Sequence, residues 1–243
     1  MRASRILLSC AVLAVIGTMN PAASADKAEL HSAVKPVPRA GRWMKRHDSM
    51  NARVSKGNVD LVFIGDSITQ GWEGRGKNVW KKYYGKRNAV NLGIGGDRTQ
   101  HVIWRLDHGN LKGITPKVAV IMIGTNNAGS NSPKEISDGV AAIVKQIRTK
   151  SPKTKILLLA TFPRGKDVND RRRKVNEASN KICQKLSDGK FVQYVDIGQN
   201  FLDKEGGLSR KIMPDLLHLS QDGYEIWAKS IEPNLEKLLK ETK

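Results

Sequence analysis

The residues of this chain best suited to chemistry stand just after its most apolar runs. Gly65-Asp66-Ser67-Ile68-Thr69-Gln70-Gly71 follows one run, Gly93-Ile94-Gly95-Gly96-Asp97-Arg98-Thr99 a second, and Gly124-Thr125-Asn126-Asn127 a third; Asp215-Leu216-Leu217-His218 lies near the C-terminus. A serine hydroxyl is a weak nucleophile until a neighbouring base takes its proton. An imidazole does this near neutral pH when a carboxylate fixes its tautomer and stabilises the imidazolium. Asp215 and His218 are three residues apart, so one turn places both side chains on one side, with the histidine reaching Ser67. The tetrahedral oxyanion then needs donors already aimed at it, and the N–H of Ser67, the N–H of Gly96 and the side-chain amide of Asn126 are candidates. Glycine at position 96 also lets the backbone approach a substrate closely.

Singly, each of these features also serves a purely structural end. Gly-Asp-Ser serves as a helix cap, Asn126 as a turn residue, His218 as a satisfied structural histidine. No Gly-x-x-x-x-Gly-Lys-Ser/Thr is present, and Gly93-Ile94-Gly95 lacks a third glycine at dinucleotide-binding spacing. In combination they are the residue types that acyl transfer to serine requires.

Positioning them falls to a regular alternation of elements. Runs at 59–64, 117–123, 155–160 and 191–195, with a weaker one at 89–92, are near-continuously apolar, the pattern of strands buried on both faces. Ser132-Pro133-Lys134-Glu135 is a capping box with proline at the first helical position, and Ile136, Val140, Ile143, Val144 and Ile147 follow at helical spacing. Further helices are predicted over 43–54, over 169–186, and from a Ser220 cap through Leu238, with Pro233 inside the last. The alternation predicts an α/β fold with a parallel sheet covered on both sides, which carries ligands beyond the carboxyl ends of its strands. All four chemical segments then converge on one edge.

Gly65-Asp66-Ser67, Gly96, Gly124-Thr125-Asn126 and Asp215-x-x-His218 match, in order, the four blocks of the SGNH (GDSL-like) hydrolases. Within that superfamily the chain resembles the alpha subunits of intracellular platelet-activating factor acetylhydrolase, over roughly residues 43–239. The shared stretches include Val62-Phe63-Ile64-Gly65-Asp66-Ser67, His101-Val102-Ile103-Trp104-Arg105-Leu106, Pro163-Arg164-Gly165 and Leu217-His218-Leu219. The resemblance implies a three-layer α/β/α sandwich, flavodoxin-like, with a five-stranded parallel sheet. It also implies hydrolysis of small acyl esters, typically acetyl, without metal or cofactor. Ser67 would be the nucleophile, Ser67, Gly96 and Asn126 the oxyanion donors, Asp215 the orienting acid and His218 the base. Around them, Asp66 is expected to brace the nucleophile turn, and Asp97 and Arg98 to lock the second loop. His101 and His108 are expected in structural or rim roles, Trp72, Trp80 and Trp104 in core or pocket wall, and Thr125 and Asn127 shaping the loop of Asn126.

Arg2 and Arg5, the apolar run 6–16 and Ala23-Ser24-Ala25 form a signal-peptide pattern cleaved before Asp26. The expected organisation is therefore a signal peptide at 1–25, an N-terminal arm and helix at 26–56, and the hydrolase domain at 57–243, in a secreted or periplasmic protein. Cys183 is the one cysteine outside the signal segment, and its apolar spacing makes it a small core side chain. The net charge is +19, or +17 once Arg2 and Arg5 are removed. Without a nucleic-acid motif it reads as a solvated basic exterior. The export pattern and this charge depart from the platelet-activating factor enzymes, and bacterial relatives with this pattern often deacetylate carbohydrates. The expected partners are a small acyl ester, an acetylated glycan among the candidates, and a second copy in a homodimer, with no specific nucleic acid. An O-acetyltransferase using the same serine, or a non-catalytic module binding anionic polymers, are the alternative readings.

Overall fold

The computed structural model describes residues 30–242; the expected signal peptide lies outside them. Helix α1 (Arg42–Val54) precedes β1 (Leu61–Gly65), the one-turn α2 (Ser67–Gln70), α3 (Lys77–Tyr84), β2 (Ala89–Gly93), α4 (Thr99–Asp107), β3 (Val118–Met122), α5 (Pro133–Lys150), β4 (Lys155–Leu159), α6 (Arg171–Cys183), β5 (Val192–Val195) and α7 (Gln221–Lys240). The strands form one parallel sheet in the order β2-β1-β3-β4-β5.

Strands β1 and β3 are buried along their full length, as their unbroken apolar sequences require, while the edge strand β5 is only half-buried over most of its residues. Alternate residues serve two cores. Val62, Ile64, Leu92, Ala119 and Ile121 pack with Trp43 and Met50 of α1, Val102 and Leu106 of α4, and Val140 and Ile143 of α5. Leu61, Phe63, Val118, Val120 and Leu157 pack on the other face with Trp72, Val79 of α3, and Trp227, Ile231 and Leu235 of α7. The result is the three-layer α/β/α architecture, with a five-stranded parallel sheet at its centre. Trp72 is fully buried in this second core, and Cys183 is buried against the first.

The capping predictions translate into geometry. Ser132 Oγ accepts from Glu135 N at 3.3 Å and Glu135 Oε2 accepts from Ser132 N at 2.8 Å, opening α5. Ser220 Oγ accepts from Gly223 N at 3.2 Å and opens α7, which runs continuously past Pro233. The region predicted helical over 169–186 is α6 followed by a 3-10 turn at Gln184–Leu186. Helices α3 and α4 carry no strong start signal and follow from the fold rather than from local pattern. Because β2 and β3 lie on opposite sides of β1, the chain reverses direction across the sheet at β1, leaving a crevice at the carboxyl ends of these strands.

Candidate active site

At the end of β1 the chain turns sharply. A Cβ at Gly65 would stand 2.1 Å from Thr69 Oγ1 and 2.4 Å from the Met122 carbonyl, so only glycine lets α2 start this close to the sheet. Asp66, fully buried, caps α2 by accepting from Ile68 N at 2.9 Å. Ser67 is thereby presented at the sheet edge. On the far side of α2, Tyr224 Oη of α7 donates to the Ile68 carbonyl at 2.6 Å and pins the turn.

His218 arrives from the loop between β5 and α7. Its Nε2 lies 2.9 Å from Ser67 Oγ, across 151 residues of sequence. Its Nδ1 lies 2.7 Å from Asp215 Oδ2, while Asp215 Oδ1 accepts from His218 N at 2.7 Å and Leu217 N at 3.1 Å. The carboxylate therefore selects the tautomer with the proton on Nδ1 and leaves the Nε2 lone pair facing Ser67. Partial burial opposes ionisation of Asp215, but the bonds from the His218 backbone and ring and from Leu217 N outweigh it and hold the carboxyl at about 2. Leu216, between the two, sits in the left-handed region at φ 60°, the cost of folding the pair back on itself.

The opposite flank is built from the loops after β2 and β3. Gly96 adopts φ +75° and is exposed, and among the described residues no partner takes its N–H or that of Ser67. Asn126 Nδ2 donates to the Asp97 carbonyl at 2.8 Å and makes a longer contact, 3.4 Å, with Asp66 Oδ2. Thus Ser67, His218, Asp215, Gly96 and Asn126 meet at one edge, as the sequence predicts.

Beneath this flank lies a buried polar network. Asp97 Oδ1 accepts from Trp43 Nε1 at 2.6 Å and Asp97 Oδ2 from Arg105 Nε at 2.9 Å; Arg105 also reaches the Gly65 carbonyl at 3.4 Å and bonds Asn110. Burial pushes the Asp97 carboxyl up against the pull of Arg105, and burial likewise pushes Asp66 up to about 7. The sequence does not mark Arg105 and Trp43 as bracing the site: an arginine in an amphipathic run reads as solvent-facing.

The remaining polar neighbours are structural. His101 Nδ1 accepts from Arg98 N at 2.9 Å, and burial together with nearby arginines lowers the ring to about 4, which leaves it neutral. His108 stacks on Trp104 with ring centroids 3.7 Å apart. Asn127 Oδ1 caps α4 by accepting from Thr99 N at 3.0 Å. Thr125 Oγ1 accepts from Asn176 Nδ2 and Arg164 Nη1, both at 3.1 Å. Burial raises the Cys183 thiol to about 11, far from a reactive thiolate. A separate groove of about 410 Å³, lined by Arg46, Met50, Trp72, Trp80 and Asn91 among others, runs beside the free edge of β2 and contains none of the convergent residues.

Residues 63–226 match the GDSL-like Lipase/Acylhydrolase family. The chain is 36% identical over 229 residues to platelet-activating factor acetylhydrolase IB subunit alpha2 of Rattus norvegicus, covering 93% of this chain and 95% of that protein. Among solved structures, a GDSL-like lipase from Bacteroides thetaiotaomicron superposes with TM-score 0.61 at 23% identity, over 79% of this chain and 97% of the other. A catalytic mutant of an acetylxylan esterase from Geobacillus stearothermophilus superposes with TM-score 0.58 at 18% identity, over 73% and 93%.

Proposed function

The chain belongs to the GDSL-like lipase/acylhydrolase family of esterases, and from that premise we propose that Ser67, His218 and Asp215 hydrolyse small acyl esters, acetyl above all, through an acyl-enzyme. The observation that carries the reading is the 2.9 Å approach of Ser67 Oγ to His218 Nε2, with Asp215 behind the ring. In this scheme His218 Nε2 takes the Ser67 proton as Oγ attacks the ester carbonyl. The oxyanion is met by the N–H groups of Ser67 and Gly96 and by Asn126, whose long contact to Asp66 yields a hydrogen to the incoming charge. The imidazolium returns the proton to the leaving alcohol. Water, deprotonated by the same nitrogen, then releases the acid and regenerates the hydroxyl. Asp215 stays ionised throughout, consistent with its depressed carboxyl.

Acetyl is favoured because the relatives carry acetylhydrolase in their names. The substrates proposed are carbohydrate O-acetyl groups or lipid acetyl esters, met outside the cytoplasm after removal of residues 1–25. N-terminal sequencing of exported protein should begin at Asp26. For the reaction itself, p-nitrophenyl esters of increasing acyl length serve as the assay, with Ser67→Ala as control. The expected result is rapid acetyl release that falls with chain length and a loss in Ser67→Ala on the order of 10⁶-fold in kcat. Near-normal turnover in Ser67→Ala rejects the nucleophile. Acetyl transfer to an added sugar outrunning hydrolysis would favour the acetyltransferase reading.

A further inference from the structure

Two guanidinium groups flank the site and take no part in the proposed chemistry. Arg39, in the segment ahead of α1, donates from Nη1 to the Gly95 carbonyl at 2.9 Å. Its guanidinium lies directly over Gly96: a Cβ built there would be 3.0 Å from Nη1 and 3.5 Å from Nη2. The Arg39 side chain is 41% exposed, and its ion-pair contact with Asp97 Oδ1 is long, 3.8 Å. The charge of Asp97 is already engaged at 2.9 Å by the buried Arg105. Two cations thus share one carboxylate, and the excess positive charge falls to Arg39, the one facing solvent.

Arg164 approaches from the other side. It donates from Nη1 to the Thr125 carbonyl at 3.2 Å, and the next residue, Gly165, donates N–H to the Leu216 carbonyl at 2.9 Å, tying this segment to the loop of His218. The carboxylates that act electrostatically on Arg164 are Asp170 and, less strongly, Asp66; Asp170 is committed to capping α6 through Arg173 N at 2.9 Å. Arg172 adds a further cation on the same flank. The rim of the site is therefore cationic on both sides, and among the described residues neither Arg39 nor Arg164 has a carboxylate partner at hydrogen-bonding length.

We propose that Arg39 is a specificity-determining residue that receives an anionic oxyacid group, carboxylate or phosphate, carried on the alcohol part of the ester. The inference rests on the esterase reading above. An acetyl group carries no permanent charge, so apart from the transient oxyanion on its own carbonyl, a substrate anion next to Gly96 must belong to the alcohol. A planar guanidinium with free donor edges matches the oxygens of either acid, and a charge-assisted pair at a partly desolvated rim is worth about a tenfold preference. Arg164 sets the sign of the field across the mouth.

The test compares matched esters: 1-acetylglycerol 3-phosphate against 1-acetylglycerol, and an acetylated methyl glucuronide against its carboxyl methyl ester. The readout is the ratio of kcat/KM, acidic to neutral, within each pair. The wild-type ratio should be on the order of 10 or more in at least one pair and should shrink as salt screens it. The pair with the larger ratio assigns the source, phosphate or carboxylate. Arg39→Gln should bring the ratio to within about threefold of unity, chiefly through KM, and Arg39→Lys should restore part of it. Lys153→Gln, an equal change of net charge at the opposite end of the sheet, should leave it intact. A wild-type ratio near one in both pairs, an unaltered ratio in Arg39→Gln, or an equal fall in Lys153→Gln overturns the proposal while neutral-ester hydrolysis keeps the esterase reading standing. Failure of the wild type to cleave any of the four overturns both.

Discussion

The two flanks of Ser67 are built on opposite principles. The His218 flank is local and exposed: Asp215 and His218 are three residues apart, their side chains are 51% and 35% exposed, and Asp215 bonds within that short stretch. The bracing beneath the proposed oxyanion flank is long-range and buried: Asp97 and Arg105 are at most 1% exposed, and they join α1, the end of β1, the loop after β2 and α4. A solvated pair costs the fold little and remains free to cycle between imidazole and imidazolium. A buried ion pair is expensive to desolvate and is kept where geometry must not vary. The group that changes charge during the proposed reaction thus keeps partial access to solvent, whereas the bracing groups that must only hold still are sealed in.

That contrast breaks most sharply under substitution. His218→Ala should lower kcat on the order of 10⁶-fold while changing unfolding free energy by less than about 1 kcal/mol, read by esterase assay and urea denaturation on the same sample. Arg105→Ala should do the reverse at the level of the fold. It strands Asp97 and should cost about 3–5 kcal/mol, seen as a lower urea midpoint. If instead His218→Ala unfolded the protein, or Arg105→Ala left it as stable as the wild type, the division of labour between the flanks would be wrong. Asn126→Ala lies between the two, with a loss of about 10²- to 10³-fold in kcat for one oxyanion donor and a smaller effect on stability.

The same division decides what the sequence discloses. The proposed triad residues and the glycines are legible because their order along the chain and their places after apolar runs are local signals; β1 and β3 are legible because strands buried on both faces have no polar alternation to confuse them. Asp97 is readable as a loop lock, but its partner Arg105 is not, since burial of an arginine depends on which carboxylate the fold brings to it. Helix α3, with Lys81 and Lys82 in its last turn and no side-chain cap, is fixed by packing Val79 and Tyr84 under Phe63 and Trp72 rather than by its own pattern. Arg39 is silent for the same reason: nothing local to residues 35–41 indicates that they cross Gly96.

The two aspartates beside the reacting groups carry the comparison to its finest test, because their carboxyls move in opposite directions. Asp215 is held down at about 2, so its contribution to stability is present above the unfolded value near 3.8 and is lost as pH falls toward 2; half-exposed, that contribution is small. Asp66 is raised to about 7 by burial. Between pH ~4 and ~7 the unfolded chain gives up this proton while the folded chain keeps it, so Asp66 erodes stability progressively across that window and by a constant amount above it. Asn at this position accepts from Ile68 N through the same oxygen but does not titrate. The stability of Asp66→Asn relative to the wild type should therefore climb from pH ~4 to ~7, by at most about 4 kcal/mol, and then level off. Urea midpoints at a series of pH values measure it. A difference flat across the range would mean that Asp66 is ionised inside the fold, with Asn126 held to it more tightly than the 3.4 Å contact indicates, and the oxyanion flank would then have one donor fewer to offer.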